Sequence, residues 1–131
     1  MSEANVELVR RIYREGLLHG DPDGLLALAT DDVEYVNPPE AVDPGTRRGP
    51  DEFRRALQNL SAHFGAQRNE LRELFDCGDR VVASVVFRAQ SSGSEAEITQ
   101  DEAHTWTLSE GRVARFEWGR DLQAALDAAS G

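Results

Sequence analysis

The hydrophobic period of this chain changes once, near Gly65, and that change constrains the fold more than any other feature. Before it, apolar residues recur at helical spacing. Val6, Val9, Tyr13, Gly16 and Leu17 fall on one stripe, so the spacing predicts a helix over 6–19 that Gly20 stops. Asp21 stands where a cap belongs for a short second helix, with Pro22 at the favoured first position and Leu25, Leu26 and Leu28 following. Asp31-Asp32 is expected to end that helix, and 33–37 reads as a short strand broken by Pro38-Pro39. A loop over 40–49 leads to Pro50. There a third helix opens with Asp51 and Glu52 at its positive end and Phe53, Leu57, Leu60 and Phe64 on its buried stripe.

After Gly65 the pattern is that of strands, over 70–75, 80–90, 95–108 and 113–119. Turns at Cys77-Gly78-Asp79, Ser91-Ser92-Gly93-Ser94 and Ser109-Glu110-Gly111 make these an antiparallel meander, and 122–129 forms a closing helix. Helices followed by an antiparallel sheet define an α+β class. A chain of 131 residues is one domain, 1–131, with a sizeable core.

One strand carries the strongest pointer to a site. Side chains alternate across a strand, so Ile98, Gln100, Glu102, His104, Trp106 and Leu108 share a face. If the apolar members face the core, three hydrogen-bonding groups face it too. Burying them is costly without partners, and a polar-lined cavity resolves the conflict.

Charge and cysteine usage exclude several classes. The formal net charge is −10, from 24 acidic and 14 basic residues, so nucleic acid and anionic membrane surfaces are poor partners. Cys77 is the only cysteine, which leaves no intrachain disulfide and no cysteine-based metal site. His19, His63 and His104 lack ligand-like spacing, so no metal and no cofactor are expected. No apolar run approaches the roughly 18 residues that span a bilayer. The N-terminal residues lack the basic and apolar blocks of a signal peptide, so a cytoplasmic location is expected. Val81, Val82, Val85, Val86 and Phe87 put apolar groups on both faces of one strand, whereas three N-terminal helices cover one face. A homodimer through the other face is therefore expected.

Several motifs resemble the nuclear transport factor 2-like superfamily, in its SnoaL-like and ketosteroid isomerase-like branch. They are His19-Gly20-Asp21-Pro22-Asp23-Gly24, Leu28-Ala29-Thr30-Asp31-Asp32-Val33-Glu34-Tyr35, Gly45-Thr46-Arg47-Arg48-Gly49-Pro50 and the run from His104 to Val113. The resemblance spans nearly the whole chain. It implies a strongly curved, cone-shaped antiparallel sheet around a pocket closed by helices, binding a hydrophobic small molecule. It also puts Tyr35 and Asn37 of the first strand, Phe116 and Trp118 of the last, Trp106, and Tyr13 of the first helix around the ligand.

The chemistry implied is cofactor-free proton transfer, of isomerase or polyketide cyclase type. Against ketosteroid isomerase, a worked case of paired acid and base residues, Tyr13 matches the oxyanion tyrosine. The base position is Asn37 and the protonated-acid position is His104, so the same isomerisation is not expected. Against limonene epoxide hydrolase, Tyr35-Val36-Asn37 and Asp121-Leu122 match, while Val85 and Phe87 replace the charged pair. A SnoaL-like cyclase reaction needs less. Here His104 would act as acid/base, oriented by Glu102 or Asp121, with Tyr13 or Tyr35 donating to a developing enolate. Each residue also has a structural reading: Asp121 as a helix cap, Asn37 bonded to local backbone, Tyr13 as packing, Glu102 solvated at the rim. A non-catalytic binding module is the competing class.

Overall fold

The computed structural model describes residues 2–41, 43–91 and 96–130. Its helices are α1 (Ser2–Arg14), α2 (Leu17–Gly20), α3 (Pro22–Leu26), α4 (Pro50–His63) and α5 (Leu122–Ser130). Its strands are β1 (Ala29–Asn37), β2 (Gly45–Arg48), β3 (Phe64–Asp76), β4 (Arg80–Ser91), β5 (Glu97–Ser109) and β6 (Arg112–Gly119). The fold is α+β, with one curved sheet in the order β2-β1-β6-β5-β4-β3.

Pairing is antiparallel as expected from β3 to β6, but β1 runs parallel to β6, so the sheet is mixed. Chain from β1 passes through β2, α4 and the meander before β6 returns alongside it, and such a long crossover permits parallel pairing. That pairing begins at Ala29↔Val113, so Asp31 and Asp32 lie inside β1 rather than ending a helix. The loop expected over 40–49 contains β2, an exposed edge strand with no apolar alternation to signal it. The helix expected over 6–19 is divided, because Gly16 adopts the left-handed conformation (φ 63°) between α1 and α2. Asp21 caps α3 as expected, accepting from the Gly24 backbone N–H at 3.0 Å. The turn at Ser92–Ser94 and the side chains of Leu60, Phe64, His19 and His63 lie outside the described residues.

The core lies between the helices and one sheet face. Val9, Ile12, Leu25, Val33, Phe53, Val81, Trp106 and Val113 are wholly buried there. Large side chains of this kind contribute roughly 1.5–3 kcal/mol each. The opposite face meets α5: Arg80 donates from Nη1 to the Ala128 carbonyl at 3.1 Å, and Val82 is fully buried within the single chain. Val82, one of the apolar residues that pointed to a second subunit, is thus buried within the single chain on the side where α5 packs. Among the described residues, no helix is long and apolar enough to cross a membrane.

Candidate functional site

Strand register builds the site from β4, β5 and β6. Val85 pairs with Glu102, Phe87 with Gln100, His104 with Trp118, and Trp106 with Phe116, so these side chains share the helix-facing side of the sheet. Tyr35 joins them from β1, paired with Phe116. A cavity of about 400 Å³ opens here, lined by Tyr35, Asn37, Gln100, Glu102, His104, Phe116 and Trp118, with Phe87 and Ile98 as apolar wall. Leu18, Ala56 and Asn59 of the helices also line it, as do Glu40, Ala41, Asp43, Arg47 and Arg120.

A continuous hydrogen-bonded chain stands behind the cavity. Trp106 Nε1 donates to Tyr13 Oη at 2.9 Å. Tyr13 Oη lies 2.5 Å from His104 Nδ1, and His104 Nε2 lies 2.8 Å from Glu102 Oε1. Gln100 Nε2 donates to the other carboxylate oxygen, Oε2, at 2.7 Å. Donor chemistry sets the direction. Indole N–H only donates, so Tyr13 accepts from Trp106. An ionised carboxylate only accepts, so His104 Nε2 donates to Glu102, and in the neutral ring the bare Nδ1 then accepts from Tyr13. Every link points toward the carboxylate.

This arrangement redistributes the expected roles. His104 is 1% exposed and both its nitrogens are engaged by protein side chains. Glu102 is not solvated at a rim: its side chain is 10% exposed, and it is the acidic end of the chain that reaches the cavity. Tyr13 and Trp106 support His104 from behind and are not part of the cavity lining. Beyond Tyr13 lies a second cavity of about 300 Å³, shared with Gln67 and Asn69. Asn37 accepts from Trp118 Nε1 at 2.7 Å and donates to the Asp43 carbonyl at 2.9 Å, which pins the indole and the loop after β1. Asp121 is exposed at the start of α5, accepts from the Ala124 N–H at 3.1 Å, and does not line the cavity.

The two tyrosines differ. Burial, reinforced by the nearby Glu102 charge, holds the Tyr13 phenol well above its ordinary pKa, although the Trp106 hydrogen bond opposes the shift. Burial and then Glu102 push the Tyr35 phenol up as well. Tyr13 spends its hydroxyl on His104. Tyr35 is 4% exposed, yet its hydroxyl has no hydrogen-bond partner among the described residues and is left open to the cavity.

Gln100 was on the predicted site face but was given no role from sequence, and Arg47 and Arg120 were not singled out. Gln100 shares the parity of Glu102, and Arg120 the parity of Phe116 and Trp118, so alternation contained both signals. Arg47 sits on β2, which had no apolar signal. Among the described residues, no group of three or more His, Cys, Asp and Glu side chains is arranged to hold a metal ion.

Comparison with known proteins places the chain in a family. No curated protein matches the chain. Among solved structures, TerC, co-crystallised with polyporic acid, is 27% identical with a TM-score of 0.78, over 98% of this chain and 99% of that one. An NTF2-like protein of unknown function from Burkholderia pseudomallei K96243 is 24% identical with a TM-score of 0.79, over 98% of both chains. A SnoaL-like polyketide cyclase from Jannaschia sp. CCS1 is 20% identical with a TM-score of 0.78, over 99% of this chain and 94% of that one. The family model of the SnoaL-like domain matches residues 9–116, and the chain belongs to that family.

Proposed function

We propose that the cavity binds a hydrophobic small molecule and that Glu102 moves a proton from a carbon beside a carbonyl group, without a cofactor. The observation that carries this reading is the one-way donor chain ending on Glu102. Each carboxylate oxygen accepts one protein hydrogen bond and keeps a lone pair for substrate. Tyr35, with an open hydroxyl, is the donor for the oxyanion.

The step is balanced within the substrate and Glu102. A carboxylate oxygen takes the proton, and the C–H electron pair moves into the carbonyl, whose oxygen becomes an enolate and accepts from Tyr35. Return of the proton to another carbon gives isomerisation. Attack of the enolate carbon on a second carbonyl of the same molecule gives ring closure, with the carboxyl proton going to the new alkoxide. His104 serves as a positioning residue: its donated hydrogen bond fixes Glu102, and Tyr13 fixes its tautomer. Asp121 is assigned to the α5 cap.

The family setting supports a small organic ligand, since a relative is solved with polyporic acid and another is named a polyketide cyclase. A sheet homodimer is also proposed, resting on the open edge of β3. The function is tested with 2-tetralone, a hydrophobic ketone with acidic α-hydrogens, by following deuterium uptake from heavy water by NMR. The wild-type protein accelerates uptake above the buffer rate, and Glu102→Gln returns it to that rate while still binding the ketone. Equal acceleration by the Gln variant would remove Glu102 from the chemistry. No acceleration by either protein leaves the non-catalytic binding module as the reading.

A further inference from the structure

We infer that the ligand of this cavity carries an anionic group, and that Arg120 receives it. The inference rests on the reading of the cavity as a site for a hydrophobic small molecule and adds the ligand's charge.

Arg120 lines the cavity and has no hydrogen-bond or ion-pair partner among the described residues. Arg47, the other lining arginine, is engaged by Asp43 at 2.5 Å. Ten further arginines pair with carboxylates or backbone carbonyls, and only Arg14 and Arg68, away from this cavity, share the open state of Arg120. Arg120 is exposed at the mouth of the cavity, where its guanidinium is free to make a charge-assisted, bidentate contact with an anion that enters beside the apolar walls. The chain's net charge of −10 makes a local cation more necessary, since the overall field repels anions.

The end of β6 bears on where the anion goes. Gly119 pairs with Ala103, and Arg120 follows just past the end of β6, next in sequence to the pairing step beside Glu102, with which it forms no ion pair. A ligand whose acidic C–H lies at Glu102 therefore has Arg120 beside it at the end of β6. Glu40, a second lining carboxylate besides Glu102, forms no ion pair among the described residues and lies on the loop after β1. It would repel an anion on that side and so orients the acid toward β6. The ligand class is a hydrophobic organic acid, with its anion at Arg120 and its apolar body against Phe87, Ile98 and Trp118.

Calorimetric titration with 2-naphthoic acid and its neutral primary amide tests this. The wild-type protein should bind the carboxylate about fivefold more tightly than the amide at low salt, a preference of the size expected for a partly exposed ion pair. Arg120→Gln should abolish the preference without weakening amide binding, and Arg14→Gln should leave it intact. Equal affinities in the wild type, or a preference that survives Arg120→Gln, overturn the inference while leaving the apolar cavity reading in place. If neither compound binds, the cavity reading fails and the inference falls with it.

Discussion

Tyr13 and Tyr35 carry the same side chain and do different work, and what separates them is the partner of one hydroxyl. Tyr13 gives its hydrogen to His104, while Tyr35 keeps its own for the cavity. They are the only tyrosines in the chain, so phenol absorbance reports on them alone. Both phenols are raised above the ordinary value of about 10. A raised folded-state pKa contributes stability that is complete below the unfolded value and is lost as pH rises through the folded value. The folded protein should therefore show no tyrosinate absorbance as pH passes the ordinary phenol range. Stability should decline from that range upward, and tyrosinate should appear together with alkaline unfolding. Phenolate formation at the ordinary value, in protein still folded by circular dichroism, would contradict both assignments. At this scale the sequence was informative about faces but not about bonds. Alternation put Gln100, Glu102 and His104 together on one side of β5. It could not reveal that His104 is held by a tyrosine 91 positions away, on a helix packed against the sheet.

Among the elements, α5 bears on one candidate through its cap. Its first turn is capped by Asp121, whose side chain accepts from Ala124 and whose carbonyl accepts from Ala125 at 3.1 Å. Asp121→Ala should lower stability by about 1 kcal/mol, as loss of a helix cap does, and leave 2-tetralone exchange unchanged. Loss of exchange at wild-type stability would return Asp121 to the chemistry. Elements with a periodic or capping signal were legible: α3 from Asp21-Pro22, α4 from Pro50, and β4 from its valines. The rest depended on tertiary context. Gly16 fits the apolar stripe and still breaks the helix, because its conformation is left-handed. β2 is visible only as a partner of β1, through Glu34↔Arg48 and the ion pair between those residues.

Across the whole molecule, a curved sheet packs helices on one side and α5 on the other, and the cavity sits where the core is incompletely filled. With α5 in place, a dimer must use what remains of the sheet near its open β3 edge. Light scattering at micromolar concentration should give twice the chain mass of 14.5 kDa, and a mass of 14.5 kDa would remove the dimer from the proposal. Proton transfer at Glu102 depends instead on the direction of one chain of hydrogen bonds, from Trp106 through Tyr13 and His104 to Glu102. Nitrogen NMR of histidine-labelled protein, with His104 assigned by His104→Gln, reads that direction. The expected result is a ring whose hydrogen is on Nε2 and whose Nδ1 is bare. A hydrogen on Nδ1, in either the other neutral tautomer or a doubly protonated ring, would contradict it.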